Sequence, residues 1–203
     1  MSSKIKLCGL FRECDIEYAN EAQPDYIGFI IDYPKSHRSI SPELAKRLKQ
    51  RLNEVIQAVG VFVDAQVELP AKMANEKTIE LIQLHGNENN DYISRLRKLT
   101  DAPIIKAIKI ASAEDIFTAN ETSADFILLD SGKGSGVCFD HSLINPDKIS
   151  KPFFIAGGLT PDNLSEVIRE FQPFGVDLSG GIETDRLKDR EKMLSAVRAA
   201  ERC

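Results

Sequence analysis

No stretch of the 203-residue chain approaches the ~20 consecutive apolar residues that a membrane helix requires. Basic residues are not in surplus: 26 Lys and Arg stand against 31 Asp and Glu, a formal charge of −5. A general nucleic-acid binder carries the opposite excess, which disfavours that class. An acidic chain can still hold an anion, through local backbone N–H groups or placed arginines. Cysteine is sparse and scattered at Cys8, Cys14, Cys138 and Cys203, with no C-x-x-C pair. Met1-Ser2-Ser3-Lys4 leads straight into a short strand-like apolar run, unlike a secretory signal. Scattered thiols without a signal read as reduced, so a cytoplasmic address is expected. No His, Cys or carboxylate pair has metal-ligand spacing, so no metal is expected. Neither a Walker sequence nor a G-x-G-x-x-G occurs, which leaves nucleotide and dinucleotide cofactors without support.

What is present is an ordinary soluble balance, 42% hydrophobic and 28% charged, enough to bury a sizeable core. Short β-rich runs recur at Lys4–Cys8, Tyr26–Ile31, Ile56–Val63, Ile79–Leu84, Ile104–Ile108, Phe126–Asp130, Phe153–Ala156 and Val176–Ser179. Helical spacing fills most of the gaps, at Pro42–Leu52, Val67–Asn75, Asp91–Leu99, Ala113–Thr122 and Leu187–Ala200. Ser41-Pro42-Glu43 supplies a cap, an N1 proline and an acidic first turn, and Thr160-Pro161-Asp162 repeats the device. Alternating strand and helix predicts parallel βαβ units. Eight strand candidates predict a single (β/α)8 TIM barrel with short loops over residues 1–203, rather than a doubly wound sheet.

Such a barrel carries its chemistry at the C-terminal strand ends. Gly157-Gly158 and Ser179-Gly180-Gly181 follow the last two strands. Paired glycine turns there favour a phosphate site, because a side chain would block the approach of phosphate to the amides; the alternative is two plain loop turns. Cys8 ends the first strand, either as a base or nucleophile with a modestly lowered pKa or as a small buried hydrophobe. Asp130 closes the apolar run Phe126-Ile127-Leu128-Leu129, either as a proton donor whose pKa burial must raise or as a cap for the Gly132–Gly136 loop. Arg38 is a carboxylate clamp or a solvated charge. His85 is a ligand donor or a partner for a loop carbonyl.

Taken in order, Lys6-Leu7-Cys8-Gly9-Leu10, Gly28-Phe29, Pro34-Lys35-Ser36-His37-Arg38-Ser39-Ile40-Ser41, Val59-Gly60-Val61-Phe62-Val63 and Gln83-Leu84-His85-Gly86 form a pattern. Leu128-Leu129-Asp130-Ser131, Gly134-Ser135-Gly136 with Phe139-Asp140, Ala156-Gly157-Gly158-Leu159 and Val176-Asp177-Leu178-Ser179 complete it. Over essentially its whole length the chain resembles the phosphoribosylanthranilate isomerases of tryptophan biosynthesis. The resemblance implies a cofactor-free barrel enzyme, a monomer or homodimer, acting on a small phosphorylated substrate. It would convert N-(5-phosphoribosyl)anthranilate to 1-(2-carboxyphenylamino)-1-deoxyribulose 5-phosphate by an Amadori rearrangement. It also implies Cys8 as general base and Asp130 as general acid. Arg38 would meet the anthranilate carboxylate, and His85, Asp177, Ser179 and the glycine turns would complete substrate binding.

The sequence departs from that family at several places. His141 stands where tryptophan is usual, Val137 and Cys138 where Lys and Thr are common, and Phe11 where a polar residue is common. Gly180 replaces a second serine, so one hydroxyl donor to phosphate is missing, and Arg186 replaces a frequent glycine. The alternatives are a related phosphate-binding barrel or a non-catalytic phosphosugar-binding protein. Indoleglycerol phosphate synthesis would call for a strand-end lysine and glutamate, and an aminoimidazole sugar isomerase for two aspartates.

Overall fold

A computed structural model describes residues 3–112, 114–130 and 144–202. The Gly132–Gly136 loop, Val137, Cys138, Phe139, Asp140, His141 and Cys203 lie outside them. Among the described residues, eight parallel strands are joined by helices everywhere except between the sixth and seventh, where a 3-10 turn at Pro146–Lys148 is described: β1 Lys4–Cys8, β2 Tyr26–Ile31, β3 Gln57–Phe62, β4 Leu81–Leu84, β5 Ile104–Lys109, β6 Phe126–Asp130, β7 Phe153–Ala156 and β8 Gly175–Leu178. Each strand hydrogen-bonds to the next, and β1 pairs with both β2 and β8, which closes the barrel. The two-residue strand Ser39–Ile40 adds to β2 beyond the barrel.

The helices are α1 Glu13–Ala22, α2 Pro42–Lys49, α3 Glu68–Asn75, α4 Asn90–Leu96, α5 Glu114–Glu121, α6 Leu164–Phe171 and α7 Arg190–Glu201. The Ser41 side chain accepts from the Leu44 N–H, so the cap read from the sequence forms. Two other helix starts fall later than their spacing predicts. Asp189 caps α7 through the Lys192 N–H, which beats Leu187 as a start; Leu187–Lys188 instead pairs antiparallel with Glu183–Thr184. After Thr160-Pro161 the chain makes a turn in which Asn163 accepts from the Thr160 N–H, and α6 begins at Leu164. α1, which the sequence reading did not name, starts where Asp15 accepts from the Phe11 and Arg12 amides. Its inward stripe is Ile16, Ala19 and Ala22.

Alternation along the strands sorts the core into two parts. Ile5, Leu7, Ile27 and Phe29 face outward and pack under the helices. Tyr26, Val59, Leu81, Ile105, Leu128 and Phe154 fill the barrel interior. The lower interior is aromatic: Phe154 meets Tyr26, Phe126 and Phe174 at ring distances of 6.0, 6.1 and 5.3 Å. That plug closes the bottom of the barrel and leaves the polar residues of the same inward rows, Lys6, Cys8, Gln83, Asp130 and Asp177, to the upper layer. Among the described residues, no helix is long and apolar enough to cross a membrane.

Candidate active site

The strand ends surround a cavity of about 680 Å³, a size typical of small-molecule sites. All ten residues nominated from the sequence line it.

Cys8 reaches the cavity from the end of β1 and is 6% exposed. Burial pushes its thiol above the ordinary value; the Lys6 ammonium and, to a lesser extent, Lys188 pull it down, while Asp177 adds to the rise. The sequence reading required a modestly lowered thiol, and the free protein holds a raised one. The walls strip water from the sulfur by more than the adjacent ammonium restores.

Asp130 ends β6 on the cavity, its carboxyl about a quarter exposed. Its Oδ2 lies 3.1 Å from His85 Nε2, and His85 Nδ1 lies 3.0 Å from Gln83 Nε2. His85 therefore engages the candidate acid rather than a loop carbonyl. With the Gln83 amide donating to Nδ1, the imidazole proton sits on Nε2 and is directed at Asp130. Gln83 is 1% exposed, and its Oε1 has no partner among the described residues.

Arg38 is neither solvated nor waiting for a ligand with its whole fork. Its Nε and Nη2 donate to Glu183 at 2.6 and 2.7 Å, and Lys188 Nζ donates to the same carboxylate at 2.7 Å. Burial alone would raise the Glu183 carboxyl, but these cations hold it at about 2. One edge of the guanidinium is thus fixed, and among the described residues Nη1 has no hydrogen-bond partner. Because its folded pKa lies below the ordinary 4.5, Glu183 contributes its full stabilisation above that pH and loses it as pH falls toward 2. Glu183→Gln is expected to cost about 2 kcal/mol at pH 7, allowing for solvent screening at the rim. In urea unfolding the gap to the parent protein should narrow as pH drops below 4.5. A gap independent of pH would contradict the ion-pair assignment.

At the other end, Gly157 and Gly158 adopt φ of 93° and 67°, the left-handed region that favours glycine. A Cβ on Gly181 would stand 1.8 Å from the Leu159 carbonyl oxygen, so the two glycine turns pack directly on each other. Between cavity and amides they place no side chain. Ser179 lines the cavity, but its hydroxyl donates to the Cys8 carbonyl at 3.1 Å, tying β8 to β1. Asp177 accepts from Lys6 Nζ at 3.0 Å. Gly180 differs from its neighbour: a Cβ there would meet nothing nearer than Arg38 Nη2 at 3.9 Å. Gly180→Ser should therefore fold normally and add a hydroxyl to the cradle. The phosphate cradle expected from the sequence predicts a several-fold lower KM with kcat unchanged in steady-state kinetics, and an unchanged or higher KM would contradict that expectation.

Sequence reasoning missed Glu183, Lys6, Gln83 and Lys192. Lys6 and Gln83 each stand two residues before a nominated strand-end residue, Cys8 and His85, so strand periodicity alone put them on the same inward face. Glu183 and Lys192, whose Nζ donates to the Glu183 carbonyl, meet only after the β8–α7 connection has folded, and carry no such signal.

A cavity of this size, polar at the mouth and closed below by aromatic rings, defines a (β/α)8-barrel enzyme that handles a small molecule. The family model of N-(5'-phosphoribosyl)anthranilate (PRA) isomerase matches residues 5–199. An N-(5'-phosphoribosyl)anthranilate isomerase from Endomicrobium trichonymphae is 40% identical over 200 residues, covering 96% of each chain. The phosphoribosyl anthranilate isomerase structure from Thermotoga maritima superposes with a TM-score of 0.87 at 32% identity, covering 99% of this chain and all of that one. Another structure of such an enzyme, in complex with reduced 1-(o-carboxyphenylamino)-1-deoxyribulose 5-phosphate, matches with a TM-score of 0.85 at 31% identity over 99% of this chain. The chain belongs to the N-(5'-phosphoribosyl)anthranilate isomerase family.

Proposed function

We propose that this protein isomerises N-(5'-phosphoribosyl)anthranilate to 1-(2-carboxyphenylamino)-1-deoxyribulose 5-phosphate in tryptophan biosynthesis, with Asp130 as general acid and Cys8 as general base. The observation that carries the reading is one cavity lined by a thiol, a carboxyl and paired glycine turns from different strands. Asp130 protonates the furanose ring oxygen, and the C1'–O bond breaks to give the open-chain iminium. That iminium acidifies the C2' proton, which the Cys8 thiolate removes. The resulting enolamine takes a proton at C1' from the Cys8 thiol and gives up its 2'-hydroxyl proton to the Asp130 carboxylate, which yields the ketone and restores both groups. His85, held by Gln83, orients the acid. Arg38, braced by Glu183, receives the anthranilate carboxylate on its free edge. The amides of Gly157, Gly158, Gly180 and Gly181 receive the phosphate, while Asp177 and Ser179 hold the wall around Cys8.

The steps are proton transfers with no net redox change and are complete with these side chains, so the reading includes no cofactor. Residues 1–203 are read as one catalytic domain working in the cytoplasm, as a monomer or homodimer. Freshly made phosphoribosylanthranilate tests the activity. Its anthranilate emission should fall in proportion to enzyme, whereas emission that decays only at the uncatalysed rate would favour a non-catalytic binding protein.

A further inference from the structure

We propose that buried Lys6 is the cation that stabilises the Cys8 thiolate, with Asp177 holding the ammonium in place and setting how far it does so. This rests on Cys8 as the base.

Lys6 is fully buried inside the barrel, and Asp177, 3.0 Å away, is the carboxylate it pairs with. Lysine is rarely buried so completely, and a buried ion pair is a weak source of stability because desolvation offsets the attraction. The layer below it is apolar, so packing alone does not require a charged pair at this level. What the pair does have is a nucleophilic neighbour. Lys6 and Cys8 are two apart on β1 and share the inward face, and opposite Cys8 in the register stands Gly28. A Cβ at Gly28 would lie 2.7 Å from Cys8 Sγ and 3.1 Å from Lys6 Nζ. The missing side chain lets the thiol and the ammonium converge on one point.

The other charges around the sulfur are accounted for. Lys188, from the short strand Leu187–Lys188, and Arg38, from the loop after β2, both donate to Glu183. Asp177, on β8, is the anion on the far side of Lys6. Lys6 is the strongest of the cations opposing burial of the thiol, and Asp177 works against it. The wall thus carries a cation and an anion whose effects on the same sulfur have opposite sign.

The test is the pH dependence of Cys8 alkylation by iodoacetamide in the free, full-length protein. It is followed on the tryptic peptide that ends at Arg12, which separates Cys8 from Cys14. Lys6→Met should raise the midpoint and slow alkylation about tenfold at pH 8; Asp177→Asn should lower the midpoint and speed alkylation several-fold. Simple loosening of the wall would expose the sulfur and move both variants downward together. A Lys6→Met midpoint equal to or below the parent's would overturn the proposal. Should Lys6→Met not fold with Asp177 left unpaired, the double variant Lys6→Met/Asp177→Asn removes both charges. Its midpoint must then lie above that of Asp177→Asn alone, and a coincident or lower value would also overturn it. Turnover by Cys8→Ala separates this inference from the one beneath it. Normal turnover would remove Cys8 as the base, whatever the alkylation midpoints show.

Discussion

Cys8→Ala and Asp130→Asn should each lower kcat by ~10²–10⁴-fold, the usual contribution of one positioned acid or base. Binding of a reduced product analogue should stay within about tenfold of the parent protein, because neither group belongs to the glycine cradle or to the Arg38 clamp. Asparagine keeps the shape of Asp130 and can still meet His85 Nε2, so its loss reports the proton and not the packing. Alanine at Cys8 removes only a sulfur that is already buried. The double variant should fall little below the worse single one, since both groups act in one sequence of steps on one substrate. A Cys8→Ala protein that turns over normally, or an Asp130→Asn protein that loses analogue binding in step with kcat, would contradict the assignment.

The second large effect concerns the floor of the same cavity. Phe154→Ala should destabilise the protein by ~3–5 kcal/mol, the range for emptying a fully buried phenylalanine site. Phe154 is 0% exposed and contacts three other rings at the narrow end of the barrel. Its ring also packs on Gly175, where a Cβ would come within 2.6 Å, so one wall of the hole is strand backbone that cannot close in. For a chain of this length the loss corresponds to about 10 °C in Tm. Thermal and urea unfolding would check it, and a cost under about 1 kcal/mol would show that the plug is not close-packed.

Much of this was legible in the sequence because the barrel repeats one rule. Alternating β-rich and helical runs fixed the strand order, and the strand-end rule pointed to Cys8, Asp130, His85 and the glycine turns, all of which line the cavity. Boundaries were less visible where a cap outweighed hydrophobic spacing, as Asp189 did at α7 and Asn163 ahead of α6. Charge partners were the harder part. Arg38 and Glu183 are 145 positions apart and meet only through the closed barrel. The raised thiol of Cys8 depends in the same way on how tightly neighbouring strands exclude water. Lys6 is the instructive case, since its inward direction was readable from Cys8 and its task was not.

The central claim is spatial, and a crystal structure of the protein with the reduced product analogue bound tests it most directly. The account predicts the phosphate on the amides between Gly157 and Gly181 and the carboxylate on the free edge of Arg38. Cys8 Sγ should lie about 3–3.5 Å from C2', and the Asp130 carboxyl within hydrogen-bond reach of the 4'-hydroxyl, the former ring oxygen. A sugar bound with C2' beyond reach of Cys8, or with the phosphate away from both glycine turns, would contradict it.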